Sequence, residues 1–548
     1  MYQCPNCNGN LKFYIPSQML RCDFCQTELD PSAFQKDKDA SEETFFETTV
    51  FTCPQCGGEL ISEDNEATAF CSFCGASNIL DSRISKEKRP EHILPFQKTK
   101  EDCKKAYSSM MKRALFAPSQ LKNEKYIDSF RGIYMPYWVY HINQSGPVML
   151  NAKKTYRKGN YIITDYYHLN FDLDADYDGL SRDASSSFDD NLSEALAPYH
   201  IVKAKPFMPS YLSGFYADTA DVKMDLYQSD VASIAAEATM KQVKKCPAFF
   251  GYELSLSDSQ AASSLNSSLS SVSNAMFPVW FLSYRNGDRV AYATVNGQTG
   301  KVAADIPVDP KKYLLGSILL AIPFFLLLNF LLTITPTLIL VFSSLFASLS
   351  LILYSSELTQ IIRKDSSLDD KGALSRMTDS DLDDKVALSQ MMDSQQSKLR
   401  VYSKSSTKPK KPKKPKTKQD TKGVLAVMFF LAVLFMSMAN DIPIMYSYSL
   451  WCILSLVVGI IYFCIGHKKL REISIQKKRH RYIGSLAALI LAVLIAIVNP
   501  VSDIYFYIGS VAVILAVFFT ISDLIYYYNI LSTRQLPQFN RKGGDDRA

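Results

Sequence analysis

Eight cysteines in the first 74 residues form two frames of identical spacing. Each frame reads C-x2-C-x14-C-x2-C, with the members Cys4, Cys7, Cys22 and Cys25, then Cys53, Cys56, Cys71 and Cys74. Two Cys-x-x-Cys pairs joined by a short hairpin can bring four thiolates to about 2.3 Å from one Zn²⁺, as in a zinc ribbon. The sequence therefore predicts two structural Zn²⁺ sites, with these eight cysteines as the ligands.

The residues around the two frames also correspond. The matched pairs are Pro5 with Pro54, Gly9 with Gly58, Leu11 with Leu60 and Phe24 with Phe73. We expect the glycines to permit a tight turn that directs backbone N–H groups at sulfur. Structural disulfides would need an oxidising compartment, and a redox pair would need a thioredoxin-like βαβ context. Neither is indicated, but zinc ribbons bind nucleic acid, bind protein or only fold, so the frames leave function open.

The chain divides into a polar half and a strongly apolar half. At 548 residues it is too long for one domain. The second half contains six apolar runs, at residues 313–334, 338–354, 424–439, 450–465, 483–498 and 505–528. A membrane-spanning helix needs about 20 apolar residues, so some runs are short and need interfacial residues to complete them. The pattern predicts six membrane helices in three hairpins.

Two connections between these runs are strongly basic. One contains Lys408, Lys410, Lys411, Lys413, Lys414, Lys416 and Lys418, and the other covers residues 467–481. Basic loops stay in the cytoplasm, which predicts a multi-pass membrane protein with cytoplasmic N- and C-termini. The chain enters the first frame directly from Met1, so we expect the first apolar run to direct insertion. The lysine and proline run would lie near anionic lipid, where each cation contributes about 1 kcal/mol.

The region between the cysteine frames and the first apolar run reads as an α+β domain. Periodicity predicts helices over residues 100–115 and 220–245 and strands over 132–142, 161–173 and 211–217. A β meander is expected over residues 280–302, with tight turns at Asn286-Gly287 and Asn296-Gly297. The segments Pro136-Tyr-Trp138 and Pro278-Val-Trp280 are weakly alike and suggest two related strands.

Motifs for catalysis are not found. The sequence has no phosphate-binding Gly-x-x-x-x-Gly-Lys-Ser/Thr loop, no His-Glu-x-x-His and no Gly-x-Ser-x-Gly, and its six histidines are scattered. Asp172, Asp174, Asp176 and Asp178 lack the glycine and glutamate of a Ca²⁺ loop and read as a solvated strand end. The apolar runs hold almost no ionisable residue at their centres, which weakens a transporter interpretation. We therefore expect a protein that is not an enzyme.

The predicted fold class is multidomain, with two small β zinc ribbons, a β-rich α+β cytosolic domain and an all-α domain of six transmembrane helices. The boundaries are ribbon 1 at 1–34, ribbon 2 at 48–82, the α+β domain at 89–310, transmembrane hairpins at 313–354, 423–466 and 482–528, a linker at 355–422, a basic loop at 467–481 and a cytosolic tail at 529–548. The linker repeats a 14-residue acidic unit over 366–393, read either as a local duplication or as a docking helix.

Several segments resemble a known family. They are Arg89-Pro-Glu-His-Ile-Leu-Pro-Phe96, Phe116-Ala-Pro-Ser119, Arg131-Gly-Ile-Tyr-Met-Pro-Tyr-Trp138, the turn ending at Gly300 and the tail from Phe539. Together with the frames they resemble bacterial membrane proteins described as transcription factor IIB-type zinc-ribbon proteins, some of which are labelled primosomal protein N′-like. The resemblance implies a bacterial plasma membrane location and no particular mechanism. Related zinc-ribbon membrane proteins resemble parts of envelope-stress systems or lipid transporters, an analogy only.

Three functions remain open. We expect a membrane-anchored scaffold or envelope-stress sensor that recruits a cytosolic protein partner, in contact with membrane lipid. A lipid or small-molecule transporter is the first alternative. A membrane-tethered nucleic-acid binder is the second, and it is disfavoured because Lys12 and Arg21 are the only basic residues between the knuckles of the two frames. A homo-oligomer is a further open possibility.

Overall fold

The computed structural model describes residues 2–35, 45–62, 71–75, 81–247, 250–254, 265, 267–287, 289–331, 335–367, 444–472 and 478–535. Ribbon 1 is a small antiparallel sheet of its own. Its strands are β1 (Leu11–Tyr14), β2 (Met19–Cys22) and β3 (Glu28–Leu29). Alternate residues of β1 are buried, so the period-2 pattern of this strand places Leu11 and Phe13 against the rest of the molecule.

The remaining described strands form one sheet. They are β4 (Phe45–Thr52), β5 (Glu59–Ser62), β6 (Asp81–Lys88), β7 (His92–Ile93), β8 (Arg131–Lys158), β9 (Tyr161–Asp183), β10 (Lys205–Pro206), β11 (Tyr216–Ala217), β12 (Glu253–Leu254), β13 (Ser267–Asn286), β14 (Arg289–Asn296), β15 (Val302–Ala304) and β16 (Arg534–Gln535). The path through the sheet runs β10-β7-β13-β8-β11-β5-β4-β6. The strands of ribbon 2 are therefore continuous with the predicted α+β domain, which the sequence treats as separate.

The centre of this sheet is buried on both faces by two different hydrophobic cores. Met276, Trp280 and Leu282 of β13 face a core that contains ribbon 1 and the helix α1 (Lys100–Arg113). Their neighbours on the opposite face, Phe277 and Phe281, pack in a core that contains ribbon 2 and the helix α3 (Asp190–Leu196). A strand covered on both faces reads as a continuous apolar run, as residues 275–282 do.

Two predictions for this region are confirmed and two need correction. The helix over 100–115 is α1, with a Thr99–Asp102 capping box, and the meander is β13, β14 and β15. The strand predicted over 211–217 is wrong, because a 3₁₀ turn at Pro209–Leu212 and a left-handed Gly214 leave only β11. The helix predicted over 220–245 is shorter in the structure, where α4 covers Gln228–Val243. A further helix, α2 (Glu124–Ile127), is a single turn.

The two Pro-x-Trp segments are neighbours in the sheet. β8 and β13 pair antiparallel with Met135 opposite Phe277, Tyr134 opposite Pro278 and Pro136 opposite Met276. A local twofold axis through the Met135 and Phe277 pair therefore relates the two segments, so that each residue of one corresponds to the matched residue of the other. The likeness that the sequence shows is confined to this pair of strands.

The C-terminal region is helical. Its described helices are α5 (Pro310–Leu331), α6 (Pro336–Ser367), α7 (Ile444–Glu472), α8 (Ile483–Val498) and α9 (Ile504–Leu531). Three stretches, Pro336–Gln360, Tyr448–Arg471 and Ile504–Leu531, are long and apolar enough to cross a membrane, and α8 is a shorter apolar helix. The run predicted at 424–439 lies outside the described residues, so the count of six stays a prediction.

Hydrogen bonds join the sheet and the segment after it to the C-terminal end of α9. The side-chain amide of Asn529 donates to the Val308 carbonyl, and its oxygen accepts from the Val308 N–H, both at 2.8 Å. Arg289 donates to the Thr533 hydroxyl at 2.7 Å, and β16 pairs with β14 directly after it. The sheet is thus fixed to the last helix by both backbone and side chains.

Candidate metal centres

Each Cys-x-x-Cys pair lies on a tight backbone turn. The N–H group four residues after the first cysteine donates to that cysteine's carbonyl at 2.8–3.0 Å. The donor residues are Asn8, Gln26, Gly57 and Gly75, and all four have positive φ angles, between 58° and 70°. In ribbon 1 non-glycine residues accept this left-handed conformation, which is uncommon outside glycine and asparagine. The four turns are therefore alike although their sequences differ.

Gly9, which the sequence assigns to a turn, is required for a different reason. A Cβ atom on Gly9 would lie 3.2 Å from the Cys22 sulfur, 3.3 Å from the Cys7 sulfur and 2.5 Å from the Phe24 ring. The glycine keeps the space above the thiols clear. Its counterpart Gly58 does direct its N–H at a sulfur, that of Cys56, at 3.4 Å.

Both cysteine groups have the arrangement of a tetrahedral metal site. The ligand atoms of each group lie within 4.8 Å of one another. In ribbon 2 the sulfur of Cys53 is 3.8 Å from that of Cys74, and Cys56 is 3.7 Å from Cys71. Four sulfurs at about 2.3 Å from Zn²⁺ would be about 3.8 Å apart. The corresponding distances in ribbon 1 are 3.3–3.4 Å, slightly tighter.

Hydrogen bonds favour the thiolate at one ligand of ribbon 1, Cys25, whereas at Cys7 the Gly9 N–H, which lowers the pKa, is outweighed by the neighbouring sulfurs, which raise the pKa. The Thr27 hydroxyl lies 3.1 Å from the Cys25 sulfur, and its hydrogen bond lowers the pKa of Cys25 to about 6. Thr27 is itself held by the side-chain amide of Asn6 at 2.9 Å. In ribbon 2 the neighbouring sulfurs, with Cys53 first, and burial raise the pKa of Cys71. Four buried thiolates would repel one another, so this group needs a cation to ionise fully.

The two groups differ sharply in exposure. All four cysteines of ribbon 2 are buried, whereas Cys7 and Cys25 of ribbon 1 are exposed. The matched phenylalanines follow the same division, since Phe73 has 0% of its surface exposed and Phe24 has 78%. The two frames have identical spacing but different environments.

Ribbon 2 is buried because its second knuckle packs on the sheet. The Phe73 ring meets the Phe281 ring edge-on, with centroids 6.3 Å apart. The Tyr292 hydroxyl donates to the Phe73 carbonyl at 2.7 Å. On the other side of ribbon 2, β5 pairs with β11, which pairs with β8. This cysteine group is therefore part of the domain core.

Ribbon 1 binds the opposite face of the sheet through its hairpin and leaves its knuckles free. The Phe13 ring packs against Tyr211 and Phe215, and the Phe13 N–H donates to the Ser213 carbonyl at 3.0 Å. Gln18 donates to the Phe96 carbonyl at 2.7 Å. The exposed knuckle face, formed by Cys7, Phe24 and Cys25, lies away from these contacts.

The other residues considered in the sequence do not add a third centre. Within the described residues, the cysteine groups of the two ribbons are the ones whose ligand atoms converge, so Cys103, Cys246, Cys452 and Cys464 take no part. Asp172 to Asp178 lie within β9 rather than at a strand end. The lysines at 408–418 lie outside the described residues, and their contact with lipid stays a prediction.

One buried acid, Asp523, was not among the predicted site residues. Asp523 of α9 has no exposed surface, and one carboxylate oxygen accepts from the Tyr482 N–H at 3.2 Å. The carboxylate thus caps the N-terminus of α8 from a neighbouring helix. Its other oxygen and the buried Tyr354 hydroxyl have no hydrogen-bond partner. A single acid near the end of a long apolar run was the available signal.

The whole is a multidomain chain with two tetra-cysteine groups, a β-rich domain and apolar C-terminal helices. It is similar to an uncharacterized protein of Bacillus subtilis, YdjG, with 28% identity over 319 residues, or 57% of this chain and 91% of that protein. No family model matches the chain. No solved structure matches it significantly. The resemblance to transcription factor IIB-type zinc-ribbon proteins therefore stays a hypothesis.

Proposed function

We propose that this protein is a membrane-anchored scaffold in which both cysteine groups hold structural Zn²⁺ and the exposed knuckle face of ribbon 1 recruits a cytosolic protein. One observation carries the proposal. Phe24 is 78% exposed at the position where Phe73 is fully buried. In ribbon 2 this face makes an intramolecular protein contact, so the same face of ribbon 1 has the chemistry for an intermolecular one.

Zinc is the metal that the two groups fit best. Four thiolates without an oxygen or nitrogen ligand form a soft set, and the sulfur spacing in ribbon 2 matches tetrahedral Zn²⁺. All four positions are protein ligands, which leaves none for a substrate. The role assigned to the metal is therefore structural.

The arrangement of charged segments supports a cytosolic position for the ribbons. Arg479 contacts Tyr527 near the C-terminal end of α9, where the Arg479 N–H donates to the Tyr527 hydroxyl at 2.6 Å. The basic residues near Arg479 thus share one end of the helical bundle with the sheet. Lys469 reaches the C-terminal half of α6 at the same end, where it donates to the Ser355 carbonyl at 3.0 Å. Because basic segments stay in the cytoplasm, the sheet and ribbons belong on that side.

The transport alternative has one observation in its favour, the buried carboxyl of Asp523. Its contact with the Tyr482 N–H gives it a structural task as a helix cap. The cavity between α6, α7, α8 and α9 has a volume of about 210 Å³, below the roughly 300–1,000 Å³ usual for ligand pockets. Scaffolding is the better supported function.

Nucleic-acid binding through ribbon 1 would depend on two basic residues, Lys12 and Arg21. Lys12 forms an ion pair with Asp23 at 3.3 Å. The Arg21 guanidinium lies 4.6 Å from the centre of the Tyr14 ring. Ribbon 1 thus has two cations between its knuckles and an acid beside one of them, so a phosphate backbone would find little net positive charge there.

The experiment compares Phe24→Ala with Phe250→Ala in the full chain, purified from cells in mild detergent. Phe250 is an equally exposed phenylalanine, at 81%, in the turn before β12. We expect a stoichiometric partner with wild type and with Phe250→Ala, and at least tenfold less of it with Phe24→Ala. Zinc content should stay at two per chain in all three. A partner retained by Phe24→Ala, or no partner with wild type, refutes recruitment through this face.

A further inference from the structure

The hairpin of β8 and β9 extends well beyond β13 as an arm, and the short strand β12 pairs with β8 partway along it, at Ala152 and Lys153. β13 pairs with β8 only as far as Gln144, whereas β8 and β9 remain paired to Lys158 and Tyr161 at the tip. At 3.3 Å per residue the 14 residues beyond Gln144 span about 45 Å. The inner face of this arm packs on α4 through Val148, Leu150 and Phe171. The other face is exposed along its length.

The register defines which residues share the exposed face, which we call the outer face. Cross-strand pairs on it, from tip to base, are Arg157 with Ile162, Thr155 with Thr164, Lys153 with Tyr166, Asn151 with His168, Met149 with Asn170, Pro147 with Asp172, Ser145 with Asp174, Asn143 with Asp176 and His141 with Asp178. Large apolar side chains stand free on it. Ile162 is 77% exposed, Tyr166 79% and Met149 64%.

The outer face carries opposite charge at its two ends. The tip half has Lys153 and Arg157, and the base half has Asp172, Asp174, Asp176 and Asp178. Lys153 also pairs with Glu253 of β12 at 3.3 Å, and His141 lies 2.9 Å from Asp176. With Glu253 included, the tip half has two cations and one acid and the base half has four acids, so the charges remain separated along the face.

A surface with this pattern is complementary to itself when reversed. Two outer faces can be stacked about a twofold axis that passes through the Met149 and Asn170 pair. A β9 residue that lies a given number of positions before Asn170 then lies over the residue the same number of positions after Asn170 in the other copy. Tyr166 of one copy then lies over Asp174 of the other. Lys153 meets the Ser145 and Asp174 pair, and Arg157 meets the His141 and Asp178 pair. A twofold contact uses each such pairing twice.

We propose that the outer face binds the outer face of a second copy of this chain, antiparallel, with Met149 at the axis. Two copies in one bilayer are related by an axis along the membrane normal, so this contact requires the arms to run along the membrane plane. The dimer presents two copies of ribbon 1. It is independent of whether ribbon 1 recruits a protein.

Two charge reversals test the contact. The variant Lys153→Glu/Arg157→Glu makes both ends of the outer face acidic, and Asp174→Lys/Asp178→Lys makes both ends basic or neutral. We expect the wild-type full chain in nanodiscs to be dimeric and each variant alone to dimerise about 100-fold more weakly, because juxtaposed like charges oppose association. Co-expressing the two variants should restore a mixed dimer. That rescue shows that both variants are folded.

The matched control is Lys154→Glu/Lys158→Glu, which makes the same charge change on the inner side of the same arm. It should remain dimeric. Met149→Cys in a Cys246→Ser background should be linked between copies by a short thiol-reactive bismaleimide in isolated membranes, and Lys154→Cys in the same background should not be linked.

The readout is the mass of the particle by light scattering or mass photometry. A monomeric wild type, a dimer that neither reversal weakens, or a failure of the mixed variants to associate overturns the proposal. So does a complex that nuclease disperses, or one whose added mass is lipid or a different protein on this face.

Discussion

The strongest consequence of the structure is that matched phenylalanines in the two ribbons should differ greatly in their effect on stability. Phe73→Ala removes a fully buried ring that packs on Phe281, whereas Phe24→Ala removes a ring that is 78% exposed. The two substitutions are chemically identical and lie at equivalent positions of equal frames. Each therefore serves as the control for the other.

The magnitude follows from burial. Removing a buried phenylalanine side chain costs about 3–5 kcal/mol, from lost transfer free energy and the cavity that remains. A surface substitution such as Phe24→Ala stays within about 0.5 kcal/mol. For a domain of this size 1 kcal/mol shifts the Tm by about 2–4 °C, so Phe73→Ala should lower it by at least about 6 °C. Phe24→Ala should shift it by no more than about 2 °C.

Tryptophan fluorescence measures this directly. The chain has three tryptophans, and two of them, Trp138 and Trp280, are hydrogen-bonded within the sheet, to the Val222 and Lys98 carbonyls. The third, Trp451, lies in α7, and a Trp451→Phe background removes its signal. Zinc content should be measured on the same samples, since both variants keep all eight cysteines. Equal shifts for the two variants, or a larger shift for Phe24→Ala, would refute the assignment of ribbon 2 to the core.

Three further predictions concern the metal and the helices. A chelator should release zinc in two phases of one metal each. Ribbon 1 should lose its metal first, because Cys7 and Cys25 are exposed and the ligands of ribbon 2 are buried. A zinc indicator dye measures the release, and a single phase would contradict the prediction. Asn529→Ala removes both hydrogen bonds to Val308. It should raise the rate of backbone amide hydrogen exchange at residues 306–309 about tenfold and leave the rate at residues 59–62 unchanged. Equal exchange rates in wild type and variant would count against the role of Asn529 in joining the sheet to α9. Asp523→Leu should destabilise the detergent-solubilised protein by about 1–3 kcal/mol, and Asp523→Asn, which keeps an acceptor for the Tyr482 N–H, by less; thermal unfolding that ranks them otherwise argues against the cap.

Local signals in the sequence were sufficient for the parts of the fold that local chemistry determines. Cysteine spacing located both cysteine groups, and runs of β-favouring residues bounded by turn residues located β8, β13 and β14. An apolar face at helical spacing located α1, and the structure adds its Thr99–Asp102 capping box. Each of these depends on residues within a few positions of one another.

The extent of β9 could not be predicted from local sequence signals. Alternation continues through Leu169, Phe171, Leu173, Ala175 and Tyr177, but the intervening aspartates disfavour a strand, and the sequence predicts an end at 173. In the structure the strand runs to Asp183 because its apolar side is covered by α4. Packing supplied from more than 50 residues away outweighs the local preference.

The difference between the ribbons could not be predicted for a similar reason. Phe24 and Phe73 occupy the same position in near-identical knuckles. What separates them is Phe281 and Tyr292, more than 200 residues further along the chain. No property of the frame itself distinguishes a knuckle that packs on the sheet from one that faces solvent.

The contacts of β13 bear on how a recruiting ribbon would be held at the membrane. Trp280 packs on Phe96 and Phe215, and Phe215 packs on Phe13 of ribbon 1. A few residues further, the hairpin from β13 to β14 reaches Arg289 and the end of α9. A sensor would need this path to have two arrangements, since a signal can only select between states of different stability. A strand packed on both faces and hydrogen-bonded on both edges resists such a change. This favours a scaffold that holds ribbon 1 at a fixed height above the membrane over a sensor that moves it.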